Sequence, residues 1–224
     1  MAIVFYHGHG SPYSWRAWLA LEAKQLRYDV KFMSFQAGDT RKPEFVAINP
    51  RHTVPTIVDD GHVVWESMAI LEYVDEKYTS GAKLYPGDAL ARARIRRLIR
   101  EAEEHIGVEA IDVIAGAYFA PGGGAFEAEK VDKAKATLED EMAYFARELD
   151  GPFFGGNAVG ALDLVLYPWL GGYVKRISFR KPESQLAALV PPPIAEWCKR
   201  IEALPYFDKT IPEHWREGWG KEPK

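Results

Sequence analysis

Cysteine is nearly absent from this chain of 224 residues, in which Cys198 is the one example. A single cysteine excludes an internal disulfide framework and any metal site built from several cysteines. Such sparing use of cysteine fits a reducing compartment. Residues 1–5 also run directly into a strand-like segment without a signal-peptide pattern. We therefore expect a cytoplasmic protein.

An excess of charge of one sign is also lacking, since 28 Lys and Arg residues stand against 32 Asp and Glu residues, for a formal net charge of -4. Without a basic surface, nucleic acid and anionic lipid are not expected as partners. The apolar runs are far too short to span a membrane. Four histidines lack the spacing of metal ligands, so we expect no metal and place them on the surface or in loops: His7, His9, His62 and His105.

The first eighty residues carry strand signals. An apolar run at 2–6 predicts a strand, and a helical pattern follows Pro12. Residues 28–35 alternate as a second strand, and Asp60-Gly61 joins two short apolar runs, which is a strong hairpin signal. A helix is predicted for 67–78. The predicted order is β-α-β, a loop, then β-β-α, in a domain covering 1–80.

Beyond a turn-rich linker at 81–88, strand signals vanish and apolar residues recur at helical spacing. Asp88 is a candidate cap for a long helix reaching about residue 119. An apolar stripe between Val131 and Leu149 predicts another helix. Residues 89–224 are therefore predicted to form an all-α domain with further helices at 162–174, 182–189 and 193–204.

Ser11 and Ser14 stand at the two ends of a four-residue segment where a Cys-x-x-Cys pair in a βαβ setting would indicate a thioredoxin-like redox site. Because both residues are hydroxyls, dithiol exchange is excluded. Two interpretations remain. A serine here caps the helix, or its hydroxyl, together with the positive end of the helix dipole, stabilises a bound thiolate.

Two other junctions can bind a ligand. Val54-Pro55 directly precedes a strand, a position that suits a proline because it has no N–H to donate. We predict a cis bond there, which turns the chain and directs the backbone polar groups of Val54 outward. Glu66-Ser67 joins a strand to a helix. These residues either cap the helix or bind an ammonium and a carboxylate group of a ligand.

Together these junctions resemble the glutathione transferase family. Segments 49–56 (NPRHTVPT) and 66–73 (ESMAILEY) look like its two N-domain signatures, and 11–16 (SPYSWR) looks like the serine motif of the zeta, tau and theta-like classes. The resemblance is looser in the second half, where 160–163 (GALD) has Gly160 in place of the usual serine or threonine of a capping box. It implies a thioredoxin-like N-terminal domain followed by an all-helical domain, with glutathione as co-substrate.

The resemblance also implies roles for individual residues. Ser11 would donate a hydrogen bond to the glutathione sulfur, which makes it the catalytic residue. Tyr6 is the alternative donor, because other classes of the family use a tyrosine near the end of the first strand. Three further contacts with glutathione are implied. His52 would contact the glycyl end, and Val54-Pro55 would contact the cysteinyl backbone. Glu66 and Ser67 would hold the γ-glutamyl group.

The implied reaction is attack of the glutathione thiolate on a small hydrophobic electrophile. Helix phase suggests five residues for that substrate: Tyr13, Ile106, Ile114, Tyr118 and Trp215. Two alternatives stay open, a zeta-like glutathione-dependent cis–trans isomerase and a non-catalytic binding module on the same fold. Ser-Pro-Tyr at 11–13 departs from the Ser-Ser-Cys typical of the zeta class. A homodimer is expected, with the arginine-rich run 92–100 facing an acidic domain of the second copy.

Overall fold

The structure, a computed structural model, describes residues 2–119 and 127–220. The chain divides into two compact units, Met1–Tyr85 with Pro205–Lys224 and Pro86–Leu204. The predicted division after residue 80 lies close to the division in the structure. The structure differs in the last segment, which the sequence pattern assigned to the helical domain and which instead belongs with the first unit.

The first unit contains a mixed four-stranded sheet with the strand order β2-β1-β3-β4. Its strands are β1 (Ile3–Gly8), β2 (Tyr28–Met33), β3 (Thr56–Asp59) and β4 (His62–Trp65). β1 runs parallel to β2 and antiparallel to β3, and β3 runs antiparallel to β4. The predicted order of elements and the predicted hairpin are confirmed.

Three helices accompany this sheet: α1 (Pro12–Ala23), α2 (Pro43–Val46) and α3 (Ser67–Lys77). Phe5 and Ile57 of the sheet are fully buried, as are Leu19 of α1 and Ile70 and Leu71 of α3. Burial of these apolar side chains is the main source of stability for the unit. The short α2 lies in the breaker-rich stretch 38–50, where the sequence predicted only an irregular segment.

Asp75 stabilises the position of residues 84 and 85, where the chain leaves the first unit. Its carboxylate forms a buried ion pair with Lys24 at 3.2 Å and accepts hydrogen bonds from the backbone N–H groups of Leu84 and Tyr85. Burial opposes ionisation, but these N–H groups, Lys83 and Lys24 outweigh it, and the pKa of Asp75 is lowered. Most of the predicted linker is therefore held against α1 and α3.

The second unit is helical throughout its described elements. In chain order its α-helices are α4 (Ala89–Glu101), α5 (Val113–Phe119), α6 (Ala128–Glu148), α7 (Ala161–Tyr167), α8 (Val174–Arg180) and α9 (Pro192–Glu202). Two π-helical segments, Ala102–Asp112 and Pro168–Tyr173, continue α4 into α5 and α7 into α8. The predicted long helix is thus present with a π-helical middle. The predicted helix at 182–189 is replaced by two single 3₁₀ turns.

The C-terminal segment packs on α1. It contains the short helix α10 (Phe207–Thr210) and a 3₁₀ stretch, Glu213–Trp219. The indole N–H of Trp15 donates to the hydroxyl of Thr210 at 3.1 Å, and the ring of Trp15 meets that of Trp215 edge to face at 5.7 Å. These contacts explain why the segment belongs to the first unit.

Within the described ranges, no helix is both long enough and apolar enough to cross a bilayer. The same ranges contain no group of three or more His, Cys, Asp or Glu residues arranged to hold a metal ion.

Candidate functional site

The sheet topology brings the three predicted junctions to one end of the first unit. β1 ends at Gly8, just before Ser11, and β4 ends at Trp65, just before Glu66. β3 runs antiparallel to both strands, with Thr56 opposite Tyr6 and Trp65, so its start lies where they finish. The ends of β1 and β4 and the start of β3 therefore form one edge of the sheet, at which α1 and α3 also begin.

Ser11 is the N-cap of α1 in an extended backbone conformation. Its hydroxyl oxygen accepts a hydrogen bond from the N–H of Ser14 at 3.2 Å. A serine hydroxyl has one hydrogen to donate besides its two acceptor lone pairs, so capping leaves the donor available. The two interpretations of Ser11 are therefore compatible with each other. Its position also gives it the positive end of the α1 dipole.

Ser14 has a different role, because it is buried and its hydroxyl contacts the end of β1. Its hydroxyl accepts a hydrogen bond from the N–H of Gly8 at 3.3 Å and so closes the loop between β1 and α1. Gly8 itself has no room for a side chain. A Cβ there would lie 2.6 Å from the ring of Phe35 and 2.7 Å from a methyl of Val54, which explains the glycine at this position.

The Val54-Pro55 bond is cis, as predicted. The loop before it is held by the buried side chain of Asn49, whose amide donates to the carbonyl oxygen of Thr53 and the hydroxyl of Thr56, both at 3.0 Å. The same side chain accepts from the N–H of Arg51 at 2.9 Å. Asn49 therefore sets the position of Val54 next to the end of β1.

Glu66 adopts φ 67° and ψ 116°, in the region that favours glycine. A non-glycine residue in such a conformation costs about 1–3 kcal/mol and is frequently found at a ligand site. The Glu66 carboxylate makes no side-chain cap bond to α3, although it occupies the N-cap position. Ser67 follows as the first residue of α3 and is buried. The capping interpretation of Glu66 is therefore not supported by its geometry.

Two histidines lie next to the β1–α1 loop. His7 is fully buried in β1, and this corrects the expectation that it is a surface or loop residue. Its ring packs edge to face on Trp18 at 4.7 Å, and His9 stacks on Phe32 at 4.6 Å. Burial and the neighbouring His9 lower the pKa of His7 to about 3, and burial lowers that of His9 although Glu213 opposes the shift. These shifts favour the neutral form of both rings, so we assign neither of them a role in stabilising a thiolate.

Tyr6 points away from these histidines, because successive residues of a strand alternate between faces. Its ring packs on Phe45 of α2 at 5.3 Å. Tyr6 also lines a cavity with residues of β2 and α2 that includes none of Ser11, Val54 or Glu66.

The residues predicted for the hydrophobic substrate fall in both units. Tyr13 is 37% exposed, and the guanidinium of Arg16 lies 4.9 Å from its ring centre. Trp215 is 5% exposed, and a Cβ on Gly10 would come within 3.8 Å of its ring, so it lies next to the Ser11 loop. In the second unit Ile106 and Ile114 are fully buried in the core and Tyr118 is half-buried.

His52 occupies a turn before Val54, with φ 46°, and its side chain is exposed. Its N–H donates to the carbonyl oxygen of Asn49 at 2.8 Å.

Sequence reasoning missed three residues at this site: Phe35, Asn49 and Arg16. Phe35 follows β2 and is 56% exposed, yet it touches Gly8. Arg16 is fully buried and donates to the sulfur of Met68 at 3.5 Å, which ties α1 to the first turn of α3. An arginine on an otherwise apolar face of a helix, as Arg16 is in α1, indicates a buried polar contact of this kind.

The first part of the chain is similar in sequence to known proteins. Residues 10–77 match the family model described as the N-terminal domain of glutathione S-transferase. This range includes Ser11, Val54, Pro55, Glu66 and Ser67. Glutathione S-transferase D7 of Drosophila melanogaster is 44% identical over 88 residues, which is 39% of this chain and 39% of that protein. The match to this curated relative therefore spans about two fifths of its length.

Solved structures resemble the chain over nearly its whole length. A glutathione S-transferase from the Antarctic clam Laternula elliptica is 25% identical, with a TM-score of 0.78 over 97% of this chain and 95% of that one. Isozyme E7 of Drosophila melanogaster is 28% identical, with a TM-score of 0.74 over 93% and 90%. Poplar glutathione transferase F1, at 21% identity, has the same fold with a TM-score of 0.79 over 94% and 97%.

Proposed function

We propose that this chain is a glutathione transferase, as its similarity to the glutathione S-transferase family indicates, and that it transfers glutathione to a hydrophobic electrophile and uses Ser11 to activate the thiol. The observation that carries this proposal is the meeting of the β1–α1 loop, the Val54-Pro55 junction and the Glu66-Ser67 junction at one edge of the sheet. We assign the chain to the serine-type classes, in a cytoplasmic setting and with a role in detoxification.

Glutathione is anchored in this proposal at three points. The Glu66 carboxylate binds the ammonium of the γ-glutamyl group, and the Ser67 hydroxyl and the first N–H groups of α3 bind its carboxylate. The backbone of Val54 pairs with the cysteinyl peptide group. His52 contacts the glycyl end. These contacts leave the sulfur at the β1–α1 loop, beside Ser11.

Thiol activation requires the site to favour the charged form. A free thiol has a pKa of about 8.5, and lowering it by about two units needs about 2.7 kcal/mol of differential stabilisation. A hydrogen bond from the Ser11 hydroxyl to a thiolate is charge-assisted, and the N-terminus of α1 adds favourable dipole energy. In this proposal the Ser11 hydrogen bond and the α1 dipole supply the stabilisation. The thiol proton leaves to solvent.

The thiolate sulfur then forms a bond to an electrophilic carbon, and the leaving group departs with the electron pair of the broken bond. Tyr13 and Trp215, both in the first unit, are proposed for binding the apolar part of the electrophile. Tyr13 lies two residues after Ser11 and is 37% exposed. We therefore place the reacting carbon nearest to Tyr13.

The test is a glutathione-dependent assay of the full chain against four electrophiles, chlorodinitrobenzene, an isothiocyanate, an organic peroxide and maleylacetone. Conjugation of glutathione to chlorodinitrobenzene or to the isothiocyanate supports a transferase. Turnover of maleylacetone alone would instead support the isomerase, and glutathione binding without turnover of any substrate would support a binding module.

A further inference from the structure

His9 lies in the turn between β1 and α1, two residues before Ser11. Consecutive Cα atoms are about 3.8 Å apart, so the Cα atoms of His9 and Ser11 are at most about 8 Å apart. The His9 side chain is half-buried. None of the contacts proposed for glutathione involves His9, although it adjoins the residue that is proposed to hold the sulfur.

Three aromatic rings fix the orientation of the His9 imidazole. It stacks on Phe32, with ring centres 4.6 Å apart and ring planes at 4°. It also meets His7 at 5.3 Å and His214 at 6.1 Å, both edge to face. Because rings pack against it on three sides, the side chain is locked in one rotamer and its two ring nitrogens keep fixed directions.

The two ring nitrogens of His9 differ in their surroundings. Nδ1 is buried and has no hydrogen-bond partner among the described residues, and Nε2 does not share that burial. A buried backbone N–H without a partner is rarer than a buried carbonyl without one, and we apply the same argument to a ring nitrogen. We therefore assign the proton of the neutral ring to Nε2, where it is available to a ligand.

Burial also favours one charge state of this ring. It lowers the pKa of His9, although Glu213 opposes the shift. The shift favours the neutral imidazole, which has one N–H to donate. A neutral imidazole can polarise a carbonyl group by a hydrogen bond, so His9 suits an oxygen of the second substrate better than it suits a thiolate.

The His9 ring belongs to a cluster that includes a residue proposed for the electrophile. A Cβ on Gly10 would come within 3.2 Å of Nε2 of His214 and within 3.8 Å of the ring of Trp215. All of these residues lie in the first unit. His9, in contact with His214, is therefore placed beside the electrophile that Trp215 is proposed to bind.

We propose that His9 selects electrophiles in which a carbonyl group is conjugated to a carbon–carbon double bond, by donating a hydrogen bond from Nε2 to the carbonyl oxygen. This role rests on the proposed function. The thiolate sulfur forms a bond to the β-carbon, and the π electrons of the double bond shift to give an enolate, whose negative oxygen accepts the bond from His9. The α-carbon then takes a proton from water, and the hydroxide so formed takes up the proton that the thiol released.

The experiment compares two electrophiles with the full chain. Benzylideneacetone reacts by addition and has the conjugated carbonyl, whereas benzyl chloride reacts by loss of chloride and has no oxygen. His9→Phe keeps an aromatic ring that can stack on Phe32 but has no N–H. The ratio of kcat/KM for benzylideneacetone to kcat/KM for benzyl chloride should fall at least about ten-fold, equivalent to about 1.4 kcal/mol, as expected for the loss of one hydrogen bond to a charged oxygen.

Two further comparisons separate this hydrogen bond from a structural role. His9→Gln and His9→Met have unbranched side chains of similar length, and glutamine alone has an N–H donor, so the ratio should be at least about three-fold higher for His9→Gln. His62→Phe removes an exposed histidine of β4 and should leave the ratio unchanged.

Three results would overturn the role of His9 and leave the transferase proposal standing: an equal fall of both kcat/KM values in His9→Phe, equal ratios for His9→Gln and His9→Met, or equal effects of His9→Phe and His62→Phe. If the natural chain conjugates neither electrophile, the role of His9 is also overturned, and the assay with four electrophiles decides the proposed function separately.

Discussion

At the scale of single residues, the most informative position is Glu66. Its backbone occupies a conformation that costs about 1–3 kcal/mol for a non-glycine residue, and its carboxylate is not used to cap α3. We infer that a residue held this way by the end of β4 and the start of α3 is pre-organised to bind a ligand. Ser67 next to it begins the helix without filling its core.

We expect Glu66→Ala or Ser67→Ala to weaken glutathione binding by about 1.5–3 kcal/mol, the range for hydrogen bonds to charged groups. Glu76→Ala is the matched control, because it removes an exposed carboxylate from the other end of α3. Calorimetry on the folded variants measures the effect. Equal affinities for the Glu66 and Glu76 variants would contradict the anchoring role.

The sequence allowed the candidate residues Ser11, Val54 and Glu66 to be grouped because they lie at junctions between elements. Ser11, Val54 and Glu66 each adjoin a strand end, so the strand pattern places them together once the sheet order is known. Phe35, Asn49 and Arg16 were missed for a different reason. Their roles depend on contacts with residues far along the chain or across a turn, such as Phe35 with Gly8, which periodicity does not encode.

At the scale of elements, the start of α7 shows how one side chain replaces a lost cap. Gly160 has no hydroxyl for a capping box, yet the Asp163 carboxylate accepts from the N–H of Gly160 at 2.8 Å. It also accepts from the N–H groups of Phe154 and Gly155 and from the indole of Trp197 at 2.7 Å. The start of α7 is therefore stabilised by Asp163, the half of the capping box that this chain retains.

Asp163 is fully buried, and burial raises its pKa to about 6 although its four donors oppose the shift. Removal of the carboxylate leaves those donors unsatisfied, which destabilises the folded state by about 1–3 kcal/mol for each buried group. It also removes the desolvation cost of burying a charge, which offsets part of that loss. We expect Asp163→Ala to lower the free energy of unfolding by about 3 kcal/mol or more.

Urea denaturation followed by circular dichroism measures this change. Asp132→Ala, at an exposed position of α6, is the control and should change stability by less than about 0.5 kcal/mol. A change below about 1 kcal/mol for Asp163→Ala would mean that water or a rearranged loop satisfies the four donors.

The π-helical segments mark the limit of prediction for elements. Apolar spacing over 88–119 predicts one long helix, and a helix is present, but periodicity does not distinguish α from π hydrogen bonding over Ala102–Asp112. Likewise, the pattern at 182–189 suits a helix, whereas the structure has two short turns separated by Gln185 at φ 57°.

At the scale of the whole molecule, the predicted homodimer rests on family resemblance more than on charge. The arginine-rich run of α4 was expected to face a second copy. Arg94 instead pairs with Glu148 at 2.8 Å and Arg97 with Glu101 at 2.7 Å, and Arg100 pairs with Glu103 at 3.0 Å. Much of that charge is thus neutralised within its own unit.

We still expect a dimer, because the resemblance to the glutathione transferase family implies one. Light scattering of the full chain at micromolar concentration should give twice the 25.3 kDa mass of one chain. Since the ion pairs of α4 are exposed and internal to the chain, raising the salt concentration should leave the dimer intact. A mass of 25.3 kDa at all concentrations would refute the assembly.

The central claim is that Ser11 activates the thiol, and the direct measurement is the pKa of glutathione bound to the protein, followed by the ultraviolet absorbance of the thiolate as pH is varied. For the natural chain we expect a pKa about two units below that of free glutathione. Ser11→Ala should raise it by at least about one unit, equivalent to about 1.4 kcal/mol, and lower turnover about ten-fold or more, while glutathione affinity stays within a few fold. Tyr6→Phe should leave the bound pKa unchanged, because its hydroxyl lies on the α2 face of the sheet. Loss of the thiolate signal in Tyr6→Phe, with the signal intact in Ser11→Ala, would contradict the claim and assign the chain to the tyrosine-using classes.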